Sequence, residues 1–177
     1  MSKRFLVIQC DDSTKWSPKN FSDMFISGLR DELQGDVGLW DVVCPPSGEH
    51  LPAEILDFQG VVITGSRFNI VDDLSWYSEL CEFLRAAAEA GRPQVYGGCF
   101  GCQMIAHALG GIVAKNPGER FILKAELLHI ESDLSLPILI PITDKPSLRL
   151  IESHGYCVQV LFTQICIGLN LDNNKSL

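Results

Sequence analysis

VYGGCFGCQMIAHALGG, Val95 to Gly111, reads as the end of a short strand, a glycine-cornered turn and a helix that stops at Gly110-Gly111. Strand and helix follow each other with almost no connection, as in sheets built from parallel strands with helical crossovers. The same alternation extends towards the N-terminus. FLVIQC (Phe5 to Cys10) is an unbroken apolar run that suits a strand buried on both faces. SPKNFSDMFISGLRDEL follows, with Ser17 as a cap, Pro18 in the first turn, and Phe21, Met24, Phe25 and Leu29 on one stripe. LWDVVC (Leu39 to Cys44) and GVVIT (Gly60 to Thr64) read as further strands, and Pro52 to Leu56 as a short helix. Leu74 to Ala90 reads as a helix with Leu80, Phe83, Leu84 and Ala87 on one side. The expected fold is therefore α/β: a doubly wound, mostly parallel sheet with helices on both faces. Beyond Gly111 the pattern becomes β-rich, with RFILKAELLHIE (Arg120 to Glu131) and Leu148 to Glu152 as strand candidates.

The corner itself, Gly97-Gly98-Cys99-Phe100-Gly101, is a G-x-C-x-G pattern. Chemistry at a strand-to-helix corner has a physical basis: a strained turn lifts the reactive atom over the carboxyl end of the sheet, and small flanking residues let strand and helix approach. A helix N-terminus favours negative charge and is expected to lower the Cys99 thiol pKa. The Phe100 N–H would point at a developing oxyanion, with a second donor supplied by the loop Thr64-Gly65-Ser66. Three other readings stay open. The glycines can serve only a tight turn around a small buried cysteine. Cys99 and Cys102 form a C-x-x-C at a helix start, a spacing used in thiol redox chemistry. A metal site is the weakest, because a second C-x-x-C or a close histidine pair is absent; no metal or cofactor is expected.

Composition narrows the function classes. The chain has 177 residues, enough for one domain that buries about 70% of its unfolded surface. Its net charge of −8 and lack of a basic stripe argue against nucleic acid and anionic lipid as partners. The apolar runs are too short or too broken by proline to cross a membrane as helices. Seven cysteines, an odd number without an export signal, point to reduced thiols and a cytoplasmic location.

On VVITGS (Val61 to Ser66), GGCFGCQ (Gly97 to Gln103), ALGG (Ala108 to Gly111) and SHGYCV (Ser153 to Val158), the chain resembles class I glutamine amidotransferase domains. The opening FLVIQCDD looks closest to the stand-alone, gamma-glutamyl-peptidase-like members. The resemblance places a family domain at residues 1–160 and a divergent tail at 161–177. It implies that Cys99 attacks a γ-glutamyl carbonyl, giving a thioester that water hydrolyses. It further implies an oxyanion hole from the backbone N–H groups of Ser66 and Phe100, and substrate binding by Gly65 and Gln103. The implied partner is a small γ-glutamyl molecule; transfer of ammonia would call for a separate acceptor protein.

Three departures bear on activity. Cys102 stands where the family usually has His, and Arg67 where it usually has Pro. A surface arginine and one that draws a substrate carboxylate are both open for Arg67. The family's catalytic pair comes from a His-Pro-Glu motif, and this sequence contains none. Of the four histidines, His50 lies in a Pro-Gly-rich loop and His107 is eight residues beyond Cys99. His129 falls in the β-rich stretch, and His154 matches Ser-His-Gly-Asp, a segment that precedes the catalytic pair, with Tyr156 in place of Asp. The expectation is a C-terminally truncated relative of a cysteine hydrolase, with impaired turnover or a purely binding role.

Overall fold

The computed structural model describes residues 3–16, 21–32, 38–129 and 147–160. The Ser17 cap, Pro18 and the tail at 161–177 lie outside the described residues.

Four parallel strands form one sheet in the order β2-β1-β3-β4. They are β1 (Arg4–Ile8), β2 (Leu39–Val43), β3 (Gly60–Ile63) and β4 (Gln94–Gly97). The strand order follows from burial. Leu6, Val7 and Ile8 are entirely shielded, as a strand with neighbours on both sides and cover on both faces requires. The edge strand β2 leaves Leu39 and Val42 exposed. The register aligns the carboxyl ends, with Ile8 beside Val43 on one side and Ile63 on the other, and Ile63 beside Gly97. The chain leaves β1 in one direction and returns on its other side as β3. In such sheets the gap between those two strands is where loops diverge and ligands settle.

Helices α2 (Ser75–Ala90) and α3 (Phe100–Ala108) pack together, and their apolar faces form one core with Leu6, Ile8, Val61 and Ile63. Leu80, Phe83, Leu84 and Ala87 are buried, as the sequence periodicity requires. Trp76, Tyr77 and Phe100 join the two helices through rings 4.4–5.9 Å apart. The opposite sheet face also buries side chains, Val7 and Val62, and helix α1 (Phe21–Glu32) contacts β1.

The apolar stripe of α1 differs from expectation in one position. Met24 is exposed and Ser22 is buried. The Ser22 N–H donates to Oε1 of the buried Gln9 at 3.1 Å, which turns this side of the first turn inwards. In place of a helix at Pro52 to Leu56 there is a single 3₁₀ turn at Ile55–Asp57.

Among the described residues, those from Ala114 to Cys157 form a second compact unit, and those up to Val113 together with 158–160 form the first. Strand β5 (Ile112–Lys115) leads into the second unit. There β6 (Ile122–His129) pairs antiparallel with β7 (Ser147–His154), from Ile122 opposite His154 to His129 opposite Ser147; of β8 (Tyr156–Val160), only Tyr156 and Cys157 belong to this unit. Asn116, 2% exposed, ties this unit together: its Nδ2 donates to the carbonyls of His154 and Arg120, and its N–H to that of Gly155.

Candidate active site

Cys99 is the N-cap of α3, with φ 51° and ψ −107°. A non-glycine residue at positive φ is uncommon, and at this ψ it lies outside even the small left-handed basin. Such a conformation costs about 1–3 kcal/mol and persists only when the surroundings over-determine it. Here they do. The Gly98 N–H donates to Ile63 O at 3.0 Å, the Gly101 N–H to Gly98 O at 2.9 Å, and the Gln103 N–H to Cys99 O at 3.2 Å. Two close approaches complete the corner. A Cβ on Gly97 would collide with the carbonyl carbon of Gly101, and one on Gly101 with the carbonyl oxygen of Ile63. The glycines therefore bring helix and strand into backbone contact, and Cys99 is left exposed at the top.

The expected acidic thiol is not what the environment produces. Desolvation of the sulfur pushes the Cys99 pKa up, and the Phe100 N–H, which bonds the thiolate, only partly offsets it. The residue is exposed as a whole, but its surroundings remove enough water from the sulfur to outweigh one hydrogen bond.

The loop after β3 lies directly beside this cysteine: a Cβ built on Gly65 would stand 3.7 Å from Cys99 Cβ. Thr64 is fully buried; its Oγ1 accepts the Cys10 N–H at 2.9 Å and donates to Gly65 O at 2.8 Å. Ser66 Oγ donates to Cys10 O at 2.5 Å and accepts the Phe68 N–H at 3.0 Å. The ends of β1, β3 and β4 thus converge on one point above the sheet. Cys99, Phe100, Gly65, Ser66 and Gln103 all belong to the first unit, and Gln103 is buried in the first turn of α3.

No family model matches the chain. Individual proteins do. It is 30% identical over 117 residues to gamma-glutamyl peptidase 4 of Arabidopsis thaliana, covering 64% of this chain and 45% of that protein. It is 32% identical over 130 residues to a Saccharomyces cerevisiae protein that bears the name glutamine amidotransferase, covering 65% and 51%. The solved glutamine amidotransferase of Methylobacillus flagellatus superposes with a TM-score of 0.68 at 28% identity, over 91% of this chain and 59% of that one. The chain is similar to class I glutamine amidotransferase-like domains in sequence and in fold. It spans about half the length of the curated relatives it matches.

The remaining sequence candidates fall in different places. Cys102 is 8% exposed, and its thiol is pushed up to about 12, by burial first and by the neighbouring Cys99 second. None of the six described cysteines is in a disulfide. Arg67 is committed locally: its guanidinium meets Asp12 Oδ1 at 2.6 Å and lies over the Phe68 ring at 4.7 Å. His50 is exposed, with Nδ1 3.6 Å from Glu79, and His107 is exposed on α3. His154 ends β7 in the second unit, with Nδ1 3.0 Å from the Tyr156 carbonyl. His129 is placed in β6, and its side chain lies outside the described residues.

Sequence reasoning missed the polar residues that hold the loops. Gln9, Asp11 and Thr64, each at most 9% exposed, sit just past the ends of β1 and β3. The available signal was position: polar residues that end a buried strand must find partners among the neighbouring loops.

Proposed function

We propose that this chain binds a small γ-glutamyl molecule and presents Cys99 to its δ-carbonyl. The observation that carries the reading is the strained Cys99 corner with Gly65 against it. The thiolate sulfur adds to the carbonyl carbon, and the oxygen that becomes negative meets the main-chain N–H groups of Ser66 and Phe100. The amine leaves with a proton, a thioester joins Cys99 to the glutamyl group, and water releases glutamate and restores the thiol. Gln103 and Gly65 line the glutamyl side. The name of the Arabidopsis relative supports a γ-glutamyl substrate. The substrate is a small soluble molecule and the setting cytoplasmic.

Turnover by this chain is slow in this reading. The sequence holds no His-Pro-Glu, and burial disfavours the Cys99 thiolate. An acyl-transfer site that works without its proton-transfer group retains about 10³–10⁴-fold over water, from oxyanion stabilisation and binding. The chain then acts chiefly as a γ-glutamyl-binding module with a reactive cysteine.

The glutamine analogue 6-diazo-5-oxo-L-norleucine tests this. It should alkylate Cys99, and excess glutamine or a γ-glutamyl dipeptide should protect. Labelling confined to other cysteines, or unaffected by γ-glutamyl compounds, overturns the reading. Fast glutamine hydrolysis that Cys99→Ala abolishes overturns the impairment.

A further inference from the structure

We infer that Asp11, together with Thr64, is a positioning residue that aims the Ser66 N–H at the site above Cys99. The inference deepens the proposed γ-glutamyl chemistry and rests on it. In a trans peptide the C=O and N–H point in opposite directions. The peptide that carries the Ser66 N–H carries the Gly65 carbonyl at its other end. Thr64 Oγ1 holds that carbonyl at 2.8 Å, and so turns the N–H the other way. The hydroxyl is itself fixed because it accepts the Cys10 N–H at 2.9 Å.

Asp11 holds the next peptide. Its Oδ2 accepts the Arg67 N–H at 2.8 Å while Oδ1 accepts the Ser13 N–H, also at 2.8 Å. Asp11 is 9% exposed, and two charge-assisted bonds to main-chain donors are what make burial of such a residue tolerable. Ser66 is thus gripped on both sides: Thr64 sets the plane before it and Asp11 the plane after it. Its own hydroxyl donates to Cys10 O, so the whole grip is anchored on the loop after β1. The Asp12–Arg67 ion pair joins the same loops, but its side chains are 32% and 52% exposed, and it adds little. The specific element is the carboxylate of Asp11 on main-chain N–H, not the charge pair beside it.

The test compares two alkylations of Cys99 in the full chain. The diazo-ketone glutamine analogue needs its carbonyl oxygen seated on the donors; iodoacetamide needs only the thiolate. Asp11→Asn leaves one of the two N–H groups facing an amide NH₂, and Thr64→Val removes the hydroxyl. Both should slow the analogue reaction by about tenfold or more, as loss of an oxyanion donor does, with iodoacetamide rates within about twofold of wild type. Thr64→Ser should restore the analogue rate, and Arg67→Ala should leave it unchanged. If Asp11→Asn fails to fold, the Thr64→Val and Thr64→Ser pair decides. A ratio of the two rates that stays at the wild-type value in Asp11→Asn and Thr64→Val overturns the inference. A wild-type Cys99 that reacts with iodoacetamide and not with the analogue sinks the γ-glutamyl reading, and this inference falls with it.

Discussion

Gly65 and Cys99 stand so close that a methyl group on the first would touch the second, at 3.7 Å between Cβ positions. The nearest other neighbour of that methyl is the Phe21 ring at 3.4 Å, so the space accepts it. Gly65→Ala is expected to fold with stability within about 1 kcal/mol of wild type, because no backbone collision arises. It narrows the gap where a carbonyl must enter. Analogue labelling of Cys99 should slow several-fold while the urea midpoint barely moves.

Cys99→Gly and Cys99→Ala both remove the sulfur, but only glycine relieves the backbone. Strain at φ 51° and ψ −107° predicts that Cys99→Gly is the more stable by about 1 kcal/mol, after glycine's greater loss of chain entropy on folding. Chemical denaturation of the two variants reads this difference directly. Equal stability would mean that the corner is relaxed.

Glycines within the corner should differ sharply in tolerance. Alanine at Gly97 or Gly101 meets backbone atoms, and overpacking of this kind costs about 1–3 kcal/mol or more. Alanine at Gly98 meets only the Phe25 ring, at 3.2 Å, and that ring can shift. Thermal melts should rank Gly98→Ala well above the other two.

Alkaline pH should destabilise the fold through Cys102. An exposed thiol in the unfolded chain ionises near pH ~8.5, and the buried one near 12. Because the folded value is the higher, its stabilising effect is complete below the unfolded pKa and is lost as pH rises towards the folded one. The slope in that window is up to about 1.4 kcal/mol per pH unit for this group. Cys102→Ser should flatten the stability profile between pH ~8.5 and 12 relative to wild type. An unchanged slope would show that other groups govern it.

The strands and helices up to Ala108 were legible because each carries its own period: unbroken apolar runs for β1 and β3, a one-sided stripe for α2, and glycines at the corner before α3. The corner at Cys99 was legible because it needs small residues at fixed offsets. Ser22 and Met24 were not. Their inversion depends on Gln9, thirteen residues before Ser22, and no local pattern records that bond. The raised thiol was hidden for a similar reason. Helix-end electrostatics are visible in a sequence, while the water excluded from a sulfur depends on segments distant in the chain, such as the Gly65 loop beside it. Asp11 stood in plain view beside Asp12; which of the two carboxylates turns inwards is decided by the main-chain N–H groups opposite.

The strand that leads to Cys99 ends at Gly97, and among the described residues the other three strands of its sheet all precede it in the chain. During synthesis, these four strands have therefore been made before the unit from Ala114 onwards exists. Domains generally fold as units during synthesis, the N-terminal one first. The corner at Cys99 can therefore take shape on a nascent polypeptide before the later unit is made.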